Sequence, residues 1–252
     1  MLSEDQKAFY DENGYLQVSG IFSDTELDVL EAEFDGVVQR LLASGDDLDA
    51  TWGGQWKEDM GPMQLQHTHD VQKFSAAWGK FLFHDGLTEV LSDLIGPNVQ
   101  LHHTKLFQKP PETGSAFPMH QDYHYFPHTN NSMTAGIFHL TDANIEMGCV
   151  RVIPGSHKLG AIECHKLPDG KRAGLYLDPE KYKIEDATPL EANRGDIVFF
   201  SYLTIHGSSL NTSDRVRKTV LIQVRDPADL PTSTSHNESH AQGMMLRGVL
   251  PV

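Results

Sequence analysis

The chain has 252 residues, a formal charge of −15 and 39% hydrophobic residues, so it can bury a core, yet it has no run of the twenty or so apolar residues that a membrane-spanning helix needs. The acidic balance argues against a broad nucleic-acid-binding face, because phosphates would be repelled. Cys149 and Cys164 give no disulfide framework, and the polar N-terminus and the ending Leu250-Pro251-Val252 match no targeting signal; the expectation is a cytoplasmic protein with neither nucleic acid nor membrane as partner and an oligomeric state the sequence does not reveal.

In chain order, Ser3 to Asn13 reads as a short helix capped by Ser3 and stopped by Gly14, followed by a brief strand over Tyr15 to Val18. Ser23 caps a second helix from about Asp24 to Leu42, with Leu27, Leu30, Phe34, Val37, Val38 and Leu41 at helical spacing. Ala43 to Gly61 is rich in Gly and Asp and reads as a loop; Phe81 to Leu94 carries a further helical pattern, ended by the turn signal Ile95-Gly96-Pro97-Asn98. From there short β-rich runs alternate with turns: Val99 to Gln108, Met133 to Leu140, Cys149 to Ile153, Asp196 to Phe200 and Lys218 to Val224. Pro110 to Pro118 and His157 to Glu185 read as long loops over a cavity, and the polar stretch after Asp229 as an extended or mobile tail. Helices followed by many short strands imply a mainly β fold with flanking helices, a sandwich or jelly roll. The expected organisation is a single domain over 1–252: mostly helical support over 1–98, a jelly-roll core over 99–225 and a tail over 226–252.

The chemistry concentrates in Met119-His120-Gln121-Asp122. Residues two apart on an extended segment point the same way, so His120 and Asp122 can offer a nitrogen and an oxygen to one ion. His206 follows another strand; two histidines and one carboxylate on one face of an octahedral iron(II), Fe(2+), leave positions for a bidentate keto acid and dioxygen, O2. Alone, His-X-Asp is weak evidence, since a surface histidine beside a loop aspartate gives the same pattern. Eleven residues after His206, across an Asn-Thr-Ser-Asp turn, stands Arg217, placed to fork onto the far carboxylate of 2-oxoglutarate; Ser208 shares the face of His206. Arg215 shares the strand parity of Arg217, and parity does not choose between them. The plain alternative for Arg217 is a solvated strand-edge arginine.

Five blocks make the pattern specific: Lys109-Pro110-Pro111-Glu112-Thr113-Gly114, His120-Gln121-Asp122-Tyr123-His124-Tyr125-Phe126-Pro127, Met147-Gly148-Cys149 through Pro154-Gly155-Ser156-His157, Arg194-Gly195-Asp196-Ile197-Val198-Phe199-Phe200, and His206-Gly207-Ser208-Ser209 through Asn211 to Arg217-Lys218. In order and spacing these resemble the phytanoyl-CoA dioxygenase (PhyH) family over about Gly96 to Val224. The resemblance implies a double-stranded β-helix, a jelly-roll, cupin-like barrel, in an enzyme that decarboxylates 2-oxoglutarate to succinate and hydroxylates a substrate C–H bond. It implies His120, Asp122 and His206 as iron ligands and Arg217, rather than Arg215, with Ser208 as binders of the co-substrate carboxylate. Phe138 and Lys105 fall beside the co-substrate, and Tyr123, Tyr125, His103 and Lys109 are candidates for the substrate pocket. His102 and His139 read as strand residues without metal, and His157 as part of a turn. The carboxylate of Asp122 favours hydroxylation over halogenation, for which related enzymes carry a small residue there; desaturation, ring closure and epimerisation stay open. The competing readings are a cupin-type metal enzyme that does not use 2-oxoglutarate and a non-catalytic binding protein on the same barrel.

Overall fold

The computed structural model describes residues 1–46, 48, 66–233 and 239–251, so most of the loop expected over Ala43–Gly61 lies outside the described residues. Helices α1 (Glu4–Asn13) and α2 (Asp24–Ser44) start where their serines stand: Ser3 and Ser23 each close a reciprocal capping box, with Gln6 and Glu26 reaching back. Both end on a left-handed glycine, Gly14 at φ 76° and Gly45 at φ 85°, a conformation that costs glycine little. The single pattern read over Phe81–Leu94 is two helices, α3 (Ala76–Leu82) and α4 (Asp85–Ile95). The break falls at His84, whose side chain accepts from the Leu87 amide and so caps α4 instead of continuing α3.

Among the described residues the strands form two antiparallel sheets. The larger runs β1 (Tyr15–Val18), β8 (Ile197–Ser201), β5 (Thr134–His139), β10 (Arg217–Arg225), β3 (Val99–Lys109) and β11 (Met245–Arg247), with β2 (Gln66–His69) also paired to β3. The smaller runs β4 (Phe117–His120), β9 (His206–Ser208), β6 (Val150–Val152) and β7 (Thr188–Leu190). The inner faces meet through Ala135, Val198, Phe200 and Leu221 on one side and Val150, Val152 and Leu190 on the other. The helices cover the outer face of the larger sheet, where Phe34, Trp78, Leu82 and Leu91 pack on Leu106, Phe138, Phe199, Val220 and Ile222. This is the mainly β jelly roll with flanking helices that the sequence implies. No described helix is long and apolar enough to cross a membrane.

Two strands differ from the sequence reading. Residues of the expected tail form β11 on the edge of β3, and polar β2 extends the same edge. Neither carries an apolar alternation strong enough to announce itself, because each becomes a strand by pairing with β3. Register matters most on β3. Gln223 pairs with His103 while Val224 pairs with Leu101, so His102 is the extra residue of a bulge. The bulge lets Val99 and Leu101 join the helix-side core while His103, Lys105 and Phe107 face the barrel interior. Opposite charges fix α2 to the larger sheet: Lys218 reaches Glu31 and Asp35, and Arg194 reaches Asp28 and Glu31.

Candidate active site

Strand pairing brings the first two donors together. β4 and β9 are antiparallel with His120 directly opposite His206. Gly207 permits that approach, since a Cβ there would sit 2.7 Å from the Phe117 carbonyl. Asp122 opens a 3-10 turn, Asp122–His124, just past β4. Gln121, fully buried between the two donors, points the other way: its amide donates to the carbonyls of Gly160 and Leu203 and accepts from the Ile162 amide. One side chain thereby pins two loop segments, around 160–162 and at Leu203, behind the site.

The Nδ1 of His120 donates to the Pro118 carbonyl at 2.8 Å, and that of His206 to the Thr204 carbonyl at 3.0 Å. A neutral imidazole tied in this way presents the lone pair of Nε2. The two Nε2 atoms lie 3.5 and 3.6 Å from the same oxygen of Asp122, Oδ1, and the ligating atoms of all three residues fall within 4.8 Å of one another. Burial, reinforced by the neighbouring His120, holds the His206 pKa at about 4, so this imidazole stays neutral at physiological pH. Burial pushes the Asp122 carboxyl up, but the attraction of His206 and the hydrogen bond and charge of His120 outweigh it, and its pKa lies below the usual carboxylate value. Two neutral imidazole nitrogens and one carboxylate oxygen on one side of a cavity are the donor set that suits ferrous iron and leaves positions open.

A second cluster lies beyond Ser208. Lys109, opposite Arg217 in the β3–β10 register, donates to Ser208 Oγ at 2.8 Å and to the Ser209 carbonyl at 2.6 Å. Arg217 donates from one terminal nitrogen to the Gly148 carbonyl, while its buried Nε has no hydrogen-bond partner among the described residues. Burial lowers both cations, Arg217 to about 10 and Lys109 well below the usual lysine value, with Arg217 adding to the effect on Lys109. Neither forms an ion pair with a carboxylate among the described residues. Asn211 holds this corner: its amide donates to the carbonyls of Lys109, Pro110 and Arg215, and its oxygen accepts from Ser213. An unsatisfied guanidinium N–H beside a buried ammonium fits a carboxylate ligand.

Between the clusters lies a cavity of about 320 Å³. Its polar lining includes the three donors, Ser208, Arg217, Lys105, His103 and His69; Phe107, Phe117, Ile137, Phe200 and Leu221 make apolar walls. Tyr125 also lines it, its ring edge-on to His120 at 6.1 Å. Tyr123 packs on Tyr202, ring centroids 5.5 Å apart, in a cluster that also holds Phe126 and Tyr125.

One expectation is corrected. Phe138 does not face the co-substrate region: it packs among Phe22, Phe81 and Trp78, with ring centroids 5.0, 5.2 and 6.5 Å away. Strand alternation puts its neighbour Ile137 on the cavity side. The two lysines sit in different surroundings. Lys109 joins Ser208 and Arg217, whereas Lys105 lies toward Asp122, whose charge raises its pKa against a larger lowering by burial, to about 8.

The structure adds residues the sequence reading passed over. Gln121 and Asn211 hold the site from behind. Gln223 shares the inner face of β10 with Arg217; its buried amide faces Asp122 without completing a hydrogen bond, and shared parity was the available signal. His69 enters on β2, which the sequence does not announce as a strand. His139 stays outside the metal cluster, buried with its Nε2 unpartnered among the described residues, and His157 bonds the Asp11 carbonyl in its turn.

Residues 10–219 match the family model described as phytanoyl-CoA dioxygenase (PhyH). The peroxisomal phytanoyl-CoA dioxygenase of Bos taurus is 31% identical over 241 residues, covering 90% of this chain and 69% of the relative. The ectoine dioxygenase of Bordetella parapertussis is 25% identical over 239 residues, 88% of this chain and 74% of its own. In fold, the crystal structure of the non-haem α-ketoglutarate-dependent carbocyclase SnoK from nogalamycin biosynthesis superposes with a TM-score of 0.75 at 22% identity, over 99% of this chain and 95% of that one. A signature running through most of the sequence, carried on the same barrel, shows that the chain belongs to the phytanoyl-CoA dioxygenase family of iron(II)- and 2-oxoglutarate-dependent oxygenases.

Proposed function

We propose that His120, Asp122 and His206 hold iron(II), that Arg217, Ser208 and Lys109 hold the far carboxylate of 2-oxoglutarate, and that the chain hydroxylates an unactivated C–H bond of a small-molecule metabolite. The observation that carries this reading is the convergence of two imidazole Nε2 atoms on one carboxylate oxygen, each ring fixed through its Nδ1. Iron with 2-oxoglutarate held there would supply oxidising chemistry drawn from O2, with succinate and carbon dioxide as co-products and one oxygen atom for the substrate carbon.

The protein's part is geometric. Backbone carbonyls fix both imidazoles, and the 3-10 turn brings Asp122 back beside them. On β9 the step from His206 to Ser208 is about 7 Å along the strand, matching the reach of a five-carbon diacid between a metal and a guanidinium. Arg217 and Lys109 orient that diacid, and the aromatic and aliphatic walls keep bulk water from the reacting centre. The cavity volume, at the small end of the range for ligand sites, supports a compact substrate. Relatives named for action on phytanoyl-CoA and on ectoine place small molecules in this family's range.

The test is succinate formation from 2-oxoglutarate with purified iron-loaded protein across a metabolite panel, alongside metal content. Wild type should release succinate and bind one iron per chain, and His120→Ala should lose both. A cupin-type enzyme of another class would consume neither 2-oxoglutarate nor O2, and full activity in the His120→Ala variant would remove the ligand assignment.

A further inference from the structure

We infer that Gln223 is a positioning residue for the metal site: its side-chain amide donates to Oδ2 of Asp122, so that this carboxylate meets the metal through Oδ1 alone and a coordination position stays open. This rests on the reading of the metal donors given above. Gln223 is fully buried on the inner face of β10, and neither its Nε2 nor its Oε1 has a hydrogen-bond partner among the described residues. A buried amide left unpaired at both ends lowers stability, and a methionine would fill similar space without that cost. Polar groups held in this state belong to sites that a ligand completes. The sheet is also distorted at this point: the β3–β10 register shifts directly after Gln223, where His102 is the extra residue. Bulges of this kind re-aim side chains beside functional sites.

The partner that fits is Asp122. Its Oδ1 lies 3.5 and 3.6 Å from the Nε2 atoms of His120 and His206, so that oxygen faces the metal position and Oδ2 is left over. Among the described residues, Lys105 and Tyr125 feel this carboxylate through its charge, whereas the Gln223 amide comes close enough to act as a donor toward it, short of a completed hydrogen bond. An ionised carboxylate only accepts and an amide nitrogen only donates, so the two groups match. A carboxylate free at both oxygens can take two positions on a metal. A bidentate keto acid and O2 need three positions of an octahedral set, which leaves one each for His120, Asp122 and His206. A hydrogen bond on Oδ2 holds Asp122 to its single position and fixes the plane of its carboxyl group. Gln223 lies behind the cavity wall, so it acts through Asp122 and not by contact with the co-substrate.

The experiment compares wild type with Gln223→Met, which keeps the length of the side chain and removes the donor. Manganese(II) is titrated by calorimetry into each metal-free protein, and 2-oxoglutarate into each protein saturated with manganese; thermal melting of the metal-free proteins is the third readout. Expected in Gln223→Met is a manganese affinity lower by about tenfold or more, the usual effect of losing a hydrogen bond to a metal ligand. The 2-oxoglutarate affinity at saturating manganese should fall by a similar factor, and the metal-free variant should melt no lower than wild type, because an unpaired amide has been removed. A smaller fall in either affinity overturns the inference. A lower melting temperature, or a variant that does not fold, overturns it in favour of a structural role. A crystal structure of wild type with manganese(II) supplies the arm that needs no variant: Nε2 of Gln223 should lie within about 3.2 Å of Oδ2 of Asp122. Metal on His120, Asp122 and His206 with the amide turned away, or with both Asp122 oxygens on the metal, overturns this inference and leaves the reading of the donors standing. Metal bound away from those three residues removes the reading of the donors first, and this inference with it.

Discussion

The two faces of β10 are built from alternate residues of one strand, yet they solve opposite problems. Val220, Ile222 and Val224 look outward into a dry core shared with the helices. Arg217, Thr219, Leu221 and Gln223 look inward, and two of these four leave buried polar atoms without a hydrogen-bond partner among the described residues. The same contrast runs through β8, where Phe199 packs toward the helices and Phe200 lines the cavity beside His206, its ring 4.3 Å away. One face supplies stability through apolar burial, and the other holds polar groups ready for ligands at a cost in stability. Substitutions on the two faces should therefore separate stability from activity.

The largest expected effect is on the inner face. His206→Ala should abolish succinate release and reduce iron affinity by at least a thousandfold, while the metal-free protein melts within a few degrees of wild type. A variant that loses its fold along with its metal would break the division of labour. On the outer face, Phe199→Ala should lower the unfolding free energy by about 3–5 kcal/mol, the usual cost of removing a large buried aromatic ring. Its remaining folded fraction should keep an unchanged 2-oxoglutarate KM, checked by denaturant titration and steady-state kinetics.

The next effect sharpens the comparison through pH. Burial holds His139 and His206 at about 4, whereas an unfolded chain titrates near 6.5. The unfolded state thus binds protons first as pH falls. Stability is full above about pH 6.5 and is lost toward pH 4, by roughly 3 kcal/mol per histidine at the acid end. Melting of the metal-free protein between pH 7 and pH 5 should show the decline, and His139→Gln should flatten it; a flat profile in wild type contradicts the burial account. The smallest of the set is Arg217→Ala, which should raise the 2-oxoglutarate KM by about a hundredfold, the loss expected when a charged bidentate contact is removed, with iron affinity little changed. An unchanged KM would detach Arg217 from the co-substrate.

How much of this was legible depends on whether the determinant is local. Ser3 and Ser23 announce their helices because a cap needs only the next three residues. The grouping of His120, Asp122 and His206 was readable from two-residue spacing and one distant histidine, since strand alternation does the geometric work. Phe138 was misplaced because one position along a strand exchanges the faces, and no feature of Gly136-Ile137-Phe138 by itself says which side is inner. β2 and β11 were invisible for a related reason: Gln66-His67-Thr68-His69 is polar and becomes a strand through the edge of β3. The distinct surroundings of Lys105 and Lys109 follow from what faces each of them across the barrel, and their own strand does not record it.

The most direct measurement is a crystal structure of the protein with iron(II) and 2-oxoglutarate, grown without oxygen. The account predicts the metal on Nε2 of His120, Nε2 of His206 and Oδ1 of Asp122, with the far carboxylate of the diacid on Arg217, Ser208 and Lys109. Metal bound elsewhere, or a diacid whose far end lies on Lys105, would contradict it.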